Sequence, residues 1–474
     1  MSATSHVVVV GAGVGGLAAA CDLSARGVAV TLLDRHAKPG GKMRQLSVGG
    51  AGIDSGPTVF TMRWIFDDLF AAMGENLDEH LGLAPVERLA RHSWPDGSRL
   101  DLYADVERSI EAIAHFAGAG EAKAYRRFAA QSQRIFETLD HTFMQRHKPG
   151  PVELAFSLGL RGLPRLYATR PFTSLWRELS TVFSDPRLRQ LFARYATYCG
   201  SSPFLAPATL MLIAHAERVG VWKVSGGMQR LAETLARLAT DRGATLRLGA
   251  HVAQLAVSGG RITGVVLDGG ETIAADAVVF NGDTAALARG LLGDDSQGAV
   301  AVRPQPSLSA MTWSLVARPS GFDLAHHNVF FGRDYEDEFE CLFGSRSISD
   351  HPTVYVCAQD RGAGDALGAQ PDGAERIFCL INAPARALSP NDIERGEAAM
   401  FALLKRQGLT LHDIDSASVR TTPADFATLF PATDGALYGR PTHGWNGSFA
   451  RPGSSSANIA ASPRSISLGD SARA

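Results

Sequence analysis

The sequence predicts an α/β fold with a Rossmann-like dinucleotide-binding domain, a mixed-sheet substrate domain and an inserted helical region. Three observations predict it. A β-branched run, a glycine-rich turn and a second strand pattern lie within the first 34 residues. Long helix-like stretches fill residues 85–221, and apolar runs typical of strands return after residue 222.

Length and composition indicate a folded protein of two or three packed units. The chain has 474 residues, of which 45% are apolar and 20% charged, and a domain averages roughly 150 residues. The net charge of −2 provides no overall field for gripping nucleic acid, so we expect no nucleic-acid partner.

The cysteines and the apolar runs indicate the compartment. The 5 cysteines are scattered, without the spacing of a zinc site or a disulfide framework, so we predict no metal and a reducing, cytoplasmic setting. The first apolar run is too short for a signal peptide, and no stretch approaches the roughly 18 apolar residues of a membrane span.

The first predicted element is a strand over His6–Val10, because a continuous β-branched run suits a strand buried on both faces of a parallel sheet. A glycine-rich turn follows, and then a helix pattern over residues 17–23 that closes at Gly27. Residues 28–33 give a second strand that ends at Asp34. These elements form one βαβ unit.

The turn between strand and helix fits the pattern G-x-G-x-x-G with Gly11, Gly13 and Gly16, and Gly15 adds a further glycine. The first glycine permits a tight turn, the second lets the backbone approach a pyrophosphate, and the third lets the helix pack on the strand. Asp34 is positioned to accept hydrogen bonds from ribose hydroxyls. The motif predicts a dinucleotide site but does not distinguish a flavin from a nicotinamide cofactor.

Two further turns follow this acid. They are Pro39-Gly40-Gly41-Lys42 and Ile53-Asp54-Ser55-Gly56-Pro57-Thr58. Each suits either a backbone contact to the nucleotide or an ordinary loop, and the pattern leaves both interpretations open.

The remaining patterns divide the chain into further parts. Strands are predicted over residues 245–248, 252–257, 261–267, 277–280, 309–317, 353–358 and 376–383, and helices over residues 125–139 and 188–198. We expect a dinucleotide-binding domain in two parts (1–84 and 222–289), a helical region (85–221), a substrate domain (290–430) and a C-terminal segment (431–474) that is atypical from about residue 454.

Two clusters of polar residues are discounted. His215 and Glu217 lie two apart on a predicted helix and point to different faces, so they are expected to be separate packing or surface groups rather than a metal pair. The acidic run from Asp334 to Glu340 is expected to be a solvated loop.

A family resemblance rests on several of these motifs together. Residues 7–58, Gly226-Gly227-Met228 with Leu231-Ala232, Gly264-Val265, Ala275-Asp276 and Asn281-Gly282-Asp283 resemble those of FAD-dependent carotenoid desaturases, relatives of bacterial phytoene desaturases. Residues 194–203, 215–222, 435–439 and 444–445 resemble the branch that desaturates 1-hydroxy- or 1-methoxy-carotenoids at the 3,4 position in purple phototrophic bacteria.

The resemblance implies an FAD cofactor and assigns residues to it by position. Gly11, Gly13, Gly15, Gly16 and Asp34 hold the pyrophosphate and ribose. The other implied contacts are Gly41 and Lys42 beside the ribityl and pyrophosphate, Gly56, Pro57 and Thr58 at the flavin ring, and Val252 at the adenine. Lys42 replaces the arginine common in the wider superfamily, so its phosphate contact is expected to be less directional.

The resemblance stops at the C-terminus. Family members have a strand and a glycine-rich turn leading into a helix beneath the flavin, and residues 454–474 show neither. We expect this segment to be mobile and the chain to lack a sheet strand and part of the flavin floor. A divergent but functional tail is the alternative.

Residues 151–176 suggest contact with a membrane surface. Phe156, Leu160 and Leu163 follow helical spacing beside a polar stripe, with arginines nearby, which suits either an interfacial helix or an ordinary core helix. The resemblance implies an apolar carotenoid substrate that enters from lipid, and hence a cytoplasmic protein peripheral to the inner membrane.

The expected reaction is flavin-dependent desaturation of a carotenoid, in which flavin N5 takes a hydride from an allylic carbon and a neighbouring carbon loses a proton. The sequence marks no proton acceptor, so the catalytic residue stays unassigned, as does the oligomeric state. The alternatives are a phytoene desaturase, an FAD-dependent amine oxidase, a non-catalytic carrier of lipid-like ligands, or a variant inactivated by its altered C-terminus.

Overall fold

The structure is a computed structural model that describes residues 5–140, 167–297, 305–362, 373–414 and 418–444, with two short strands at 456–457 and 466–468. The α-helices with both ends among these residues are α1 (Val14–Ala25), α2 (Arg63–Ala72), α3 (Leu77–His80), α4 (Val106–Ala117), α5 (Ala119–Leu139), α6 (Leu175–Val182), α7 (Pro186–Ala193), α8 (Leu212–Val219), α9 (Gln229–Asp241), α10 (Thr284–Ala288), α11 (Tyr335–Glu340), α12 (Pro390–Arg406) and α13 (Pro423–Leu429).

Strands make up the rest of the regular structure, together with short 3-10 turns such as Arg194–Cys199. In chain order they are β1 (His6–Val10), β2 (Ala29–Asp34), β3 (Gln45–Val48), β4 (Ala51–Asp54), β5 (Phe60–Thr61), β6 (Leu83–Pro85), β7 (Arg88–Ser93), β8 (Arg99–Tyr103), β9 (Val221–Val224), β10 (Thr245–Leu248), β11 (Val252–Ser258), β12 (Arg261–Leu267), β13 (Thr272–Ala274), β14 (Ala277–Phe280), β15 (Ser309–Ser320), β16 (His327–Phe330), β17 (Val354–Ala358), β18 (Glu375–Ala383), β19 (Thr410–His412), β20 (Ser418–Thr421), β21 (Ser456–Ala457) and β22 (Ile466–Leu468).

The dinucleotide-binding sheet has the strand order β10-β2-β1-β14-β22-β21. Strands β10, β2, β1, β14 and β22 are parallel, and the central β1 is flanked on both sides, with Val8 opposite Thr31 and Val278. The fully buried valines of β1 therefore suit its position, as the sequence predicted. Helix α1 packs with α9 against this sheet through Leu17 and Leu235, and the antiparallel strands β11, β12 and β13 pack on the other side.

The expected substrate domain contains most of a second, mixed sheet of order β19-β15-β18-β17-β16-β7-β8, with β20 paired to β15. All its pairs are antiparallel except β16 with β7. The hairpin β7–β8 corrects the expected boundary of the helical region, because residues 88–103 are part of this sheet. The helices of this region begin at Val106, with α4.

Helices α4 to α8 form the helical region and share one core. Phe128, Phe183 and Phe192 are buried there with ring centroids 4.5–5.5 Å apart. The predicted helix over residues 125–139 is confirmed within α5, whereas the one over residues 188–198 ends at Ala193 and tightens into a 3-10 turn. This 3-10 turn carries Tyr198 and Cys199, which line the cavity.

Two expectations about the rest of the chain are wrong. Strand β22, in the segment expected to lack one, pairs in parallel with β14 so that Ile466 lies opposite Val278. The acidic run is helix α11, capped by Asp334, and its Glu338 is buried because only one face of this helix meets solvent. Composition did not predict strand β22 or helix α11, because packing against residues distant in sequence determines both.

The membrane prediction for residues 151–166 lies outside the described residues. Within the described part, no helix combines the length and the apolar character needed to cross a bilayer.

Candidate functional site

One cavity of about 650 Å³ runs from the first glycine turn to the helical region. Its first end is formed by the carboxyl ends of β1, β2 and β14, where doubly wound sheets bind their ligands. Its second end is mostly apolar and is lined by residues of the helical region and the C-terminal segment. The residues at this second end include Leu139, Thr169, Pro171, Tyr198, Cys199, Pro207, Thr209, Leu210, Leu212, Ile213, Ala216, Leu437, Tyr438 and Thr442.

Asp34 lies at the first end with its carboxylate held rigidly. Its Oδ2 accepts a hydrogen bond from the Ala12 amide at 2.7 Å, and its Oδ1 accepts from the His36 amide at 2.7 Å and contacts the His36 ring at 3.0 Å. Burial alone would raise the pKa of Asp34, but these hydrogen bonds outweigh it and hold the pKa below its ordinary value. The carboxylate is therefore ionised and able to accept hydrogen bonds from a sugar.

The two glycine turns meet at this end. Gly13 and Gly40 form a parallel bridge, and the Gly40 amide donates to the Ala12 carbonyl at 2.8 Å. Gly11, Gly13, Gly15 and Gly41 line the cavity, so the second turn is a wall of the site and not a separate loop. Among the described residues no side chain caps α1, whose N-cap is Gly13. Its first-turn amides can therefore receive a diphosphate.

Lys42 is partly buried at the same wall. Its Nζ donates to the carbonyl oxygen of Leu437 and lies 5.6 Å from the centre of the Phe430 ring. Burial lowers the pKa of Lys42, and the Asp283 carboxylate partly opposes this. A partly buried cation at this wall can provide a countercharge for an anionic ligand.

Gly16 and Gly56 do not line the cavity. A Cβ on Gly16 would lie 2.0 Å from the Gly11 carbonyl oxygen, and one on Gly56 would lie 1.9 Å from that of Lys42. Both glycines therefore act through close backbone packing that shapes the two turns.

Pro57 lines the cavity, but Thr58 faces a small second pocket of about 30 Å³. The Thr58 hydroxyl is 2.7 Å from the Tyr355 hydroxyl, which is 2.7 Å from His327 Nδ1. The Thr58 hydroxyl therefore belongs to this buried hydrogen-bonded group, and the expectation that Thr58 approaches the flavin ring stays a prediction.

The sequence did not indicate the cluster at that second pocket. The nitrogen and sulfur atoms of His326, His327 and Cys357 lie within 4.8 Å of one another. His326 Nδ1 is 2.8 Å from the Arg361 carbonyl oxygen, and burial lowers the pKa of His327 well below its ordinary value. Pairing of β16 with β17 brings these residues together, and neither spacing nor motif reveals such a pairing in the sequence.

Val252 and Asn281 complete the first end. Val252 lines the cavity on β11, on the side of Asp34. The Asn281 Nδ2 donates to the Gly11 carbonyl at 3.3 Å, while its buried Oδ1 has no partner among the described residues. An unpartnered buried acceptor in a cavity wall indicates a missing ligand donor.

A buried polar cluster lies in the wall of the apolar end. Glu217 accepts hydrogen bonds from the hydroxyls of Tyr195, at 2.7 Å, and Tyr198. The Arg194 guanidinium donates to the Tyr198 oxygen at 3.2 Å. His215 contacts Arg218 instead, so His215 and Glu217 do not face each other, as predicted.

Three exposed apolar side chains lie close in the chain to residues that line this end of the cavity. Tyr167, Phe172 and Leu205, here called the apolar rim, are 67%, 68% and 50% exposed. Thr169 and Pro171, between the first two, line the cavity. Large exposed apolar groups near a cavity indicate an interaction surface.

The comparisons with known proteins agree with this site. Residues 14–312 match the profile of flavin containing amine oxidoreductases, and the chain belongs to that family. Within it, the chain is 50% identical over 460 residues to the hydroxyneurosporene desaturase of Rubrivivax gelatinosus, covering 96% of this chain and 87% of that protein. It is 47% identical to the hydroxyneurosporene desaturase of Cereibacter sphaeroides, over 94% and 90% of the two chains.

A more distant relative and a solved structure extend the comparison. The phytoene dehydrogenase of Streptomyces griseus is 35% identical, over 81% of this chain and 74% of that protein. Putrescine oxidase bound to putrescine has a TM-score of 0.59 at 15% identity, over 98% and 93% of the chains. The structural likeness shows the fold, and the sequence relatives show that the chain is an FAD-dependent carotenoid desaturase, as the resemblance implied.

Proposed function

We propose that FAD binds along the first end of the cavity. Gly11, Gly13 and Gly15 receive the diphosphate with the α1 amides, Asp34 binds the ribose, and Val252 contacts the adenine. Gly41, Lys42 and Pro57 line the part nearer the apolar end, while Gly16, Gly56 and Thr58 support the turns from behind. The orphaned Asn281 oxygen supports this proposal, because it needs a donor from a ligand.

We further propose that the substrate is a 1-hydroxy- or 1-methoxy-carotenoid desaturated at the 3,4 position. The observation that carries this proposal is the continuity of the cavity from the dinucleotide turns to an apolar end. Two relatives at 47% and 50% identity bear the name hydroxyneurosporene desaturase, which supports the same substrate class.

Bound flavin supplies the hydride acceptor for such a reaction. The protein's residues align the polyene and keep water away from it. Leu139, Leu210, Leu212 and Ile213 provide apolar contacts along the cavity wall, which favour an apolar chain over an amine.

We propose that the protein acts in the cytoplasm at the surface of the inner membrane. Two residues of the apolar rim, Tyr167 and Phe172, flank the cavity-lining Thr169 and Pro171, and the half-exposed Arg170 lies between these and pairs with Glu178 at 3.4 Å. Apolar side chains that insert among acyl chains, with an arginine at phosphate level, suit an interfacial contact. A carotenoid can then pass from lipid into the cavity without crossing water.

The test is turnover by purified protein supplied with FAD and a 1-hydroxycarotenoid in liposomes. The product is expected to absorb at longer wavelength, because one more double bond joins the conjugated chain. A spectrum that does not change, together with reduction of the flavin by amines, would overturn the proposal in favour of an amine oxidase. Retained flavin with no turnover of either substrate would instead support a non-catalytic or inactive variant.

A further inference from the structure

The polar cluster of Arg194, Tyr195, Tyr198 and Glu217 is unusual because it is enclosed in the apolar core of the helical region. Glu217 is 7% exposed and Tyr195 is 2% exposed. Burying a carboxylate and a guanidinium costs free energy that pairing offsets only in part, so a stable core alone gives no reason for such a cluster.

The cluster reaches the cavity through one of its members. Tyr198 and the adjacent Cys199 line the apolar end, as does Ala216, which precedes Glu217. Tyr195, Arg194 and Glu217 lie behind this wall. Tyr198 is therefore the member that a ligand in the cavity can touch.

The position of Tyr198 is close to the end of the dinucleotide site. Gly200, two residues on, packs against Tyr438, since a Cβ there would lie 2.7 Å from the Tyr438 ring. The preceding residue, Leu437, accepts the hydrogen bond from Lys42. A substrate group at Tyr198 is thus near the boundary between the two ends of the cavity, where the reacting carbons must meet the cofactor.

The hydrogen bonds of Tyr198 define what it can bind. Burial raises the pKa of Tyr198, so the phenol keeps its proton, and that proton is donated to Glu217. Its oxygen accepts from Arg194 and retains a lone pair for one more donor. An alcohol can supply this donor, whereas an ether or a hydrocarbon cannot.

We propose that Tyr198 accepts a hydrogen bond from a hydroxyl group of the substrate and thereby selects an alcohol over the corresponding hydrocarbon. The inference rests on the proposed function and narrows its substrate to the free alcohol. A hydroxyl on C1 is two carbons from C3, so a group that binds it also fixes the 3,4 bond at the cofactor. Glu217 and Arg194 act as positioning residues that fix the Tyr198 oxygen through their hydrogen bonds with it.

The experiment compares kcat/KM for a 1-hydroxycarotenoid, its methyl ether and the hydrocarbon with the same polyene, using FAD-loaded protein in liposomes. The wild type is expected to prefer the alcohol. Tyr198→Phe is expected to lower kcat/KM for the alcohol about tenfold more than for the other two, the size expected for one hydrogen bond to a polarised phenol. Glu217→Gln is expected to reduce the preference for the alcohol in part.

The matched control is Tyr195→Phe, which also removes a hydroxyl from Glu217 but lies behind the wall. It is expected to keep the preference for the alcohol within about twofold. Dissociation constants from quenching of protein fluorescence by each carotenoid give a second measurement that does not depend on turnover. They are expected to show the same loss of preference in Tyr198→Phe.

Three results would overturn the inference. In the first, Tyr198→Phe keeps the full preference for the alcohol. In the second, Tyr195→Phe loses this preference as much as Tyr198→Phe does, which indicates that the cluster has a purely structural role. In both cases the desaturase assignment stands, because carotenoids are still turned over. In the third, the flavin-loaded wild type converts no carotenoid at all, and the proposed function fails together with the inference.

Discussion

The Lys42 ammonium donates a hydrogen bond to the carbonyl oxygen of Leu437, a residue 395 positions later in the chain. The contact joins the second glycine turn of the dinucleotide site to the C-terminal segment that closes the cavity. One side chain therefore connects the glycine turns with the apolar end of the cavity.

Replacing Lys42 tests this arrangement. Lys42→Met removes the partly buried charge and is expected to raise the dissociation constant of FAD by roughly 10- to 100-fold, the range expected for one charge-assisted hydrogen bond. Fluorescence titration of FAD into apoprotein measures it. Lys42→Arg is the control and should bind FAD at least as tightly as the wild type, because it keeps the charge and adds a forked donor. Equal affinity in the Met variant would show that Lys42 has no role at the phosphates.

The packing of Gly16 predicts a strong effect of a single methyl group. Gly16→Ala directs its Cβ at the Gly11 carbonyl oxygen 2.0 Å away, so the first turn must shift, at a cost of about 2 kcal/mol or more in unfolding free energy. Gly120→Ala is the control, since nothing lies within 4 Å of its added Cβ in α5. It should stabilise the protein by roughly 0.5–1 kcal/mol, because alanine favours a helix. Chemical denaturation measures both, and equal stabilities for the two variants would refute the packing argument.

Glu338 predicts a pH dependence of stability. Its carboxylate accepts hydrogen bonds from Thr353 and Asn382, but burial dominates and raises its pKa to about 7. Between its unfolded pKa near 4.5 and pH 7 the unfolded chain loses this proton before the folded one does. The free energy of unfolding therefore falls by up to about 1.4 kcal/mol per pH unit as pH rises through this window. Above the window, the contribution of Glu338 no longer changes with pH.

Glu338→Gln removes the titrating proton. The variant is expected to be more stable than the wild type at pH 8 and to lose this part of the slope between pH 5 and pH 7. Urea unfolding at a series of pH values measures it. An unchanged slope would mean that Glu338 titrates at its ordinary value despite its burial.

The apolar rim predicts a surface effect that leaves the fold intact. Phe172→Glu exchanges a 68% exposed ring for a charge and is expected to lower partitioning into anionic liposomes about tenfold, as lost apolar contact implies. Flotation in a density gradient measures it. Val419→Glu, on the exposed strand β20 of the substrate sheet, is the control and should float like the wild type. Equal flotation of both variants, or a wild type that stays at the bottom, would contradict the membrane proposal.

Local signals were enough to predict the first βαβ unit and the strands β10, β11, β12 and β14. The Gly11 turn, the valines of β1 and Asp34 are neighbours in sequence, so their pattern reports their structure directly. Lys42 follows a second glycine turn, but only the family resemblance assigned it to the cofactor. These residues carry the prediction of the cofactor and of most of its wall.

Contacts between distant segments were not predictable in the same way. Thr58 meets Tyr355, and Tyr198 meets Glu217, only after separate elements pack. Strand β22 pairs with β14, although the composition of the β22 segment does not favour a strand. The substrate end of the site therefore became visible only in the folded chain, and the proposals about it depend on that geometry.

The most direct test of the central claim is reduction of the bound flavin by a 1-hydroxycarotenoid under anaerobic conditions, followed by absorbance in a single turnover. The account predicts that the oxidised flavin band bleaches in step with a shift of the carotenoid spectrum to longer wavelength. A flavin that stays oxidised with the carotenoid, yet bleaches when a primary amine is added, would contradict it.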